Sequence, residues 1–143
     1  MEDLKVNIPE GYEIDKENST FECIKFKKKK SLPTTWEEFL HTLNPCDSYI
    51  ICRDIKKIED TILPTKYIAI YKLQLLQNCW REDWKPNWGT RKHAKYAICN
   101  IENSVIVVTS YDHQTSLAFK TEKQAKEFVE YFYDLILEAE DLI

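Results

Sequence analysis

Apolar residues recur at every third or fourth position along residues 66–81, a spacing that predicts a central amphipathic helix. Its apolar side is broad, so we expect a largely buried helix, with Gln74, Gln77 and Asn78 on the polar side. Pro86 cannot lie inside a helix and also restricts the residue before it, so the helix must end before residue 85.

The same periodicity predicts a long C-terminal helix over residues 121–142, and Thr121 and Gln124 have the spacing of a capping box at its start. A shorter helix is predicted after Thr34 or Thr35, because each threonine is followed three residues later by a glutamate. We expect the C-terminal helix to bury its apolar stripe against a sheet.

The region between the predicted short helix and the predicted central helix has no clear hydrophobic period. Asn44 and Pro45 are expected to end the short helix, and residues 49–52 form an apolar run that suits either a strand or a buried helix. Leu63 and Pro64 are expected to break whatever element precedes them.

Alternating residues predict a hairpin near the N-terminus, with arms at 12–14 and 21–27 and a loop at 15–19. In the second arm Ile24 and Phe26 share one face, and the lysines of the other face point to water. A basic run, Lys27 to Lys30, ends this arm and is interpreted as a solvated strand exit and linker, with a phosphate-contacting patch as the alternative.

A second set of strands is predicted at 95–101, 105–111 and 116–119, which would form a three-stranded antiparallel meander. Residues 105–108 are β-branched and apolar on both faces, so we expect them to form the central, covered strand. The fold class is therefore α+β, with a C-terminal sheet and an N-terminal hairpin packed against the long C-terminal helix and the central helix.

The composition bounds the function. The 143 residues, 43% of them hydrophobic, predict one domain, with 1–33 as a hairpin and linker that can be loosely attached. Five cysteines without C-x-x-C spacing indicate neither a disulfide framework nor a zinc site, and no catalytic, metal or cofactor motif is found among the three scattered histidines or the two glycines. The absence of an apolar leader or a membrane-length run favours a cytoplasmic protein.

Trp80, Trp84 and Trp88 follow one another at intervals of four. They can anchor a loop to the core, since each buried indole covers roughly 150–250 Å². Exposed rings could instead form a protein-binding patch, or stack on nucleic-acid bases. The basic residues that could contact phosphates or a protein partner are Arg81, Lys85, Arg91, Lys92 and Lys95.

Acidic residues follow the polar side of the C-terminal helix, and Glu130 and Asp134 lie at its centre. Such a ridge is typical of a solvated helix face, but it can also mimic nucleic acid and occupy the basic site of a host protein. The net charge of −4 argues against a general nucleic-acid coat protein, which normally carries a basic surplus.

Four segments stand out together, and they cover about two fifths of the chain: IPEGYEIDKENSTFECIKFKKK, LPTTWEEF, the pattern W-x-x-x-W-x-P-x-W, and AFKTEKQAKEFVEYFYDLI. In combination they resemble small proteins encoded by phages, prophages and mobile elements of Bacteroides-like gut bacteria. Asn87 stands where many members of the group have an aspartate before the third tryptophan. The resemblance implies a mobile-element origin and supplies no catalytic residues.

These observations predict a non-enzymatic accessory protein of a phage or mobile element. It would bind a protein partner or a second copy of itself, in host-factor modulation or in virion assembly, in the host cytosol or the virion. The alternative is a nucleic-acid-binding accessory protein that uses residues 80–95. Neither reading requires a cofactor or a membrane.

Overall fold

A computed structural model describes residues 5–28, 31–61 and 64–143. Over those residues the chain has four α-helices and two small antiparallel sheets, which confirms the predicted α+β class. Lys29 and Lys30 of the basic run and Leu63 of the predicted break lie outside the described residues. The chain divides into two units, Met1–Leu32 and Pro33–Ile143, which are described separately.

The first unit contains a hairpin of β1 (Tyr12–Ile14) and β2 (Phe26–Lys28). The hairpin is confirmed, but its second strand begins five residues later than predicted and its loop spans 15–25. The reason is local hydrogen bonding: the Ser19 hydroxyl accepts from the Lys25 N–H at 2.9 Å, which holds residues 19–25 in the loop. Glu13 and Lys27 lie opposite each other, with 3.5 Å between Oε1 and Nζ.

The second unit begins with α1 (Trp36–His41) and α2 (Pro45–Glu59). The Thr35 hydroxyl accepts from the Glu38 N–H and caps α1, as the sequence predicted. Asn44 and Pro45 begin α2 in addition to following α1: Asn44 Oδ1 accepts from the Asp47 N–H at 2.9 Å. The apolar run 49–52 is therefore helical, and Ile51 is its buried residue.

The central helix α3 (Pro64–Arg81) is confirmed, and it ends before residue 85. Its buried residues are Ala69, Leu73, Leu76, Gln77 and Trp80. The assignment of Gln77 to the exposed side was wrong, because only 4% of this residue is accessible.

Three strands form the sheet of this unit: β3 (Lys95–Ile101), β4 (Ser104–Ser110) and β5 (Ala118–Phe119). The strand order is β4-β3-β5, so β3 is central and β4 is an edge strand. The expectation that residues 105–108 form the central strand was therefore wrong. A β-branched, apolar sequence suits a half-buried edge strand as well as a covered central one, so the run alone does not place β4 in the sheet.

The C-terminal helix α4 (Glu122–Glu138) begins after Thr121, whose hydroxyl accepts from the Gln124 N–H at 3.2 Å. Its buried side consists of Ala125, Phe128, Phe132 and Ile136, which confirms the predicted stripe. The helix kinks at Phe132 and is followed by a short 3-10 helix at Glu140–Leu142, which accounts for the end of the predicted 121–142 segment. No described helix is long and apolar enough to span a membrane.

Candidate functional site

Trp80 lies in the core and cannot contact a partner. Only 2% of it is accessible, and its Nε1 donates to the Pro33 carbonyl at 2.9 Å. The indole meets Phe128 edge-on, with 5.4 Å between ring centroids, and also contacts Phe132 at 6.0 Å. This tryptophan therefore has the anchoring role that was the first of the three interpretations, and it attaches the end of α3 to α4.

Arg81 is also committed to internal contacts. Its Nε donates to the Ala118 carbonyl and its Nη2 to Gln77 Oε1, both at 2.6 Å. Gln77 Oε1 accepts from the Ala118 N–H as well, at 2.8 Å, so the two side chains together attach α3 to β5. Burial lowers the pKa of Arg81 to about 10, which leaves the guanidinium charged at neutral pH. These internal contacts make Arg81 a poor candidate for binding a partner.

Beyond α3 the chain turns at Glu82, whose φ of +52° is the left-handed conformation that ends many helices. Trp84 therefore lies outside the helix, and both Trp84 and Trp88 are half-buried. Each ring has a cation over it: the Arg81 guanidinium is 5.6 Å from the Trp84 ring and the Lys95 ammonium is 5.5 Å from the Trp88 ring. Both indoles are thus partly held by the protein and partly open to a ligand.

A residue that contacts a phosphate would lie at the surface, but Lys95 is buried. It is 2% accessible, and its Nζ donates to the carbonyl of Thr90 at 2.9 Å and to the carbonyl of Tyr111. A buried ammonium must find such partners because its desolvation is costly. Lys95 therefore has a structural role in place of the predicted contact with a ligand. The alternating pattern of a strand gives no sign of this role.

A cavity of about 380 Å³ opens beside Trp84. We call it the basic cavity, and its lining includes Trp84, Lys85, Lys92, His93, Tyr96 and Lys120. No carboxylate of the described residues lines it. The structure thus brings together four of the predicted residues, Trp84, Lys85, Lys92 and Lys95, in one concave site.

Arg91 and Trp88 do not line the basic cavity. Arg91 is exposed and pairs with Asp112, with 2.6 Å between Nε and Oδ2. This hydrogen bond, helped by the positive charge of the guanidinium, lowers the pKa of Asp112 below its usual value. Arg91 is therefore already neutralised locally, unlike Lys85 and Lys92.

Sequence reasoning missed Tyr96 and Lys120 as residues of this site. Antiparallel pairing places Tyr96 opposite Phe119. Lys120 follows Phe119 directly, so it lies at the end of the sheet where β3 begins. Only the pairing of β3 with β5 brings these distant positions together, and the local patterns do not contain it.

The other two predicted site residues do not line the basic cavity. Glu130 and Asp134 are exposed on α4, one turn apart, and Tyr133 and Leu137 are exposed beside them. We call these four residues the acidic face. In this part of the helix no basic residue occurs, since the chain has none after Lys126.

The described residues contain no group of three or more His, Cys, Asp or Glu side chains that could hold a metal ion. Comparisons with models of protein families, with curated proteins and with solved structures found no match in any of the three.

Proposed function

We propose that the protein is a non-enzymatic accessory protein of a phage or mobile element that acts by binding a protein partner. The partner would present a basic surface with an apolar centre to the acidic face of α4. Host-factor modulation in the cytosol and a role in virion assembly are both compatible with this activity. The mobile-element origin rests on the sequence resemblance described above.

The observation that carries the proposal is the exposure of large apolar and aromatic side chains among carboxylates. Tyr133 is 46% accessible and Leu137 is 38% accessible, although the opposite side of the same helix packs into the core. Tyrosine is enriched in protein interfaces because it combines a large apolar body with a polar tip. Charges around such a centre steer and orient a partner of opposite sign.

The N-terminal half of the same helix differs in a way that supports this assignment. There the carboxylates of Glu122 and Glu127 have partners of their own, Lys126 at 2.6 Å and Lys123 at 3.8 Å. Such pairs four residues apart are ordinary features of a solvated helix. The carboxylates of Glu130 and Asp134 form no ion pair with any described residue, so they are the ones available to a basic partner.

The test is capture of a partner from host lysate by the immobilised protein, compared with the double variant Glu130→Lys, Asp134→Lys. We expect the double variant to capture at least tenfold less of the partner than the wild type does. Its free energy of unfolding should change by less than about 0.5 kcal/mol, as for other exposed positions. The matched control is Glu59→Lys, Asp60→Lys, which makes the same charge change on exposed residues at the end of α2 and should retain capture.

Equal capture by the two double variants would overturn the assignment of the acidic face. A strict monomer that retains no partner at all would overturn the proposal of protein binding.

The edge strand β4 favours a second candidate, in which the partner is another copy of the chain. No described strand pairs with the outer edge of β4, and Ser104–Ser110 contains neither a charge nor a proline to protect it. The sequence SVIVVTS is also nearly symmetric about Val107, so two antiparallel copies would place serine opposite serine and β-branched residues opposite one another.

Light scattering tests self-association directly. Ile106→Lys would place two lysines close to the two-fold axis of such a dimer, and we expect it to convert the dimer to a monomer. Ile101→Lys introduces the same charge at an exposed position of the central strand and should leave the dimer intact. A wild-type protein that stays monomeric at high concentration would rule out this candidate.

A further inference from the structure

We propose that the basic cavity binds a nucleoside phosphate, with the phosphate held by lysines and the base packed against an aromatic ring. This site is separate from the acidic face and uses different elements, so it goes beyond the proposed protein-binding function. The ligand can be a free nucleotide or one nucleotide of a single strand, because both present the same chemistry.

The charge of the lining favours an anion. Lys85, Lys92 and Lys120 all line the cavity, and the three residues are exposed. None of them has an ion pair with any described residue, in contrast to Arg91. Like charges brought together in one concavity repel each other, and a bound phosphate would offset that repulsion through charge-assisted hydrogen bonds.

The fourth lysine of the lining, Lys95, differs from the other three because its ammonium already has partners in the protein. The ammonium of Lys95 is occupied by the carbonyls of Thr90 and Tyr111 and lies over the Trp88 ring. It therefore supports the wall of the cavity and is not free to hold a ligand. The other three lysines of the lining have no ion pair with a described residue, so they are the ones available to a phosphate.

The aromatic part of the lining selects among anions. Trp84 and Tyr96 are half-buried, so each has a fixed position and an accessible surface. A planar base gains from stacking on such a ring, and this holds for any base because each has a π face. Inorganic phosphate, sulfate and carboxylates would gain nothing from these rings. The ligand class that uses both features is a phosphate attached to an aromatic base.

The volume and the polar groups fit this class. A cavity of about 380 Å³ lies at the lower end of the range for small-molecule sites, which suits a single nucleotide. Asn87 also lines the cavity; its Oδ1 accepts from the Gly89 N–H at 3.0 Å, which orients the side-chain amide. The amide group can then donate to an acceptor on the edge of a base.

Isothermal titration calorimetry with thymidine monophosphate, thymidine, inorganic phosphate and a ten-residue oligothymidylate tests the proposal. We expect the monophosphate to bind at least tenfold more tightly than thymidine or phosphate alone, since each of these lacks one half of the recognition. An oligothymidylate affinity more than tenfold above that of the monophosphate would identify a single strand as the ligand, and similar affinities would identify a free nucleotide.

Two variants assign binding to the cavity. Lys85→Gln, Lys92→Gln should weaken monophosphate binding about tenfold through lost charge-assisted contacts, and Trp84→Leu should weaken it at least fivefold through lost stacking. The matched control is Lys56→Gln, Lys57→Gln on α2, which removes the same charge from exposed lysines and should change the affinity less than twofold.

Several outcomes would overturn the proposal. They are no heat of binding with either nucleotide probe at low salt, equal affinity for the monophosphate and inorganic phosphate, or an equal loss in the α2 control. A tighter complex with phosphotyrosine than with the monophosphate would assign the cavity to a phosphopeptide instead. Circular dichroism of each variant, with an unchanged spectrum, ensures that lost binding is not lost folding.

Discussion

The acidic face and the basic cavity carry opposite charges, and they are built in different ways. The acidic face is convex and consists of residues three and four apart on α4, so it forms whenever that helix forms. The basic cavity is concave and takes its lysines from the segment after α3, the loop before β3 and the residue after β5. It therefore depends on several tertiary contacts that the acidic face does not need.

This difference separates mutations that remove a surface from those that remove its support. Contacts of α3 with α4 underlie both surfaces, because Trp80 packs on the aromatic rings of α4 and also begins the segment that leads to Trp84. Contacts of α3 with β5 concern the basic cavity alone, since β5 ends directly before Lys120. Substitutions in these two places should affect the two binding activities differently.

Trp80→Ala should have the largest effect and impair both surfaces. It removes a buried indole and its hydrogen bond to the Pro33 carbonyl, so we expect a loss of about 3–5 kcal/mol in the free energy of unfolding. Urea denaturation followed by circular dichroism measures it. The half-buried Trp36 provides the control, and Trp36→Ala should cost distinctly less. A loss below about 2 kcal/mol for Trp80→Ala would contradict the core role of this residue.

Gln77→Leu should be next and should impair the basic cavity only. It leaves the Ala118 N–H and one Arg81 donor without their acceptor, which costs about 2–3 kcal/mol for buried groups. Nucleotide binding should weaken, whereas capture by the acidic face should persist. Gln74→Leu changes an exposed residue of the same helix and should alter stability by less than about 0.5 kcal/mol. Equal effects of the two substitutions would refute the role of Gln77.

The sequence predicted α1, α3, α4 and the strands, whereas it left residues 49–52 of α2 open between strand and helix. The periodicity of α3 and α4 predicted most of their buried residues, and the positions of Glu130 and Asp134 followed, because a helix places residues three and four apart on one side. Gln77 was misassigned because its neighbours Gln74 and Asn78 are exposed, and only the β5 backbone opposite it explains its burial. Lys120 could not be assigned to the site without the pairing of Tyr96 with Phe119.

The structural role of Lys95 and the proposed ligand-binding role of Lys92 can be separated by a matched pair of substitutions. Lys95→Met leaves two carbonyls without a donor and should cost about 1–2 kcal/mol of stability. Lys92→Met affects an exposed side chain and should cost less than about 0.5 kcal/mol, yet it should weaken nucleotide binding several-fold. Thermal unfolding and calorimetry on both variants measure the two effects. The reverse order of stability losses would show that Lys95 is not structurally committed.

The smallest expected effect concerns the charge of Arg91, next to the basic cavity. The hydrogen bond from Arg91 to Asp112, together with the positive charge, favours the ionised carboxylate and holds the pKa of Asp112 below 3.8. A depressed pKa in the folded protein means that the pair stabilises the fold above the pKa of the unfolded chain, and this contribution is lost as the pH falls through the folded-state pKa. In Arg91→Gln we expect the pKa of Asp112 to rise toward 3.8.

Carbon-detected NMR titration of the Asp112 carboxyl between pH 2 and pH 6 would measure this pKa shift in the wild type and in Arg91→Gln. Lys92→Gln is the control, because it removes a neighbouring charge without touching Asp112 and should leave the pKa close to that of the wild type. Since the pair is exposed, high salt should also raise the wild-type value toward 3.8 by screening the attraction. If Arg91→Gln leaves the pKa of Asp112 unchanged, Arg91 is not neutralised by this carboxylate, and its positive charge would then be available to a phosphate beside the basic cavity.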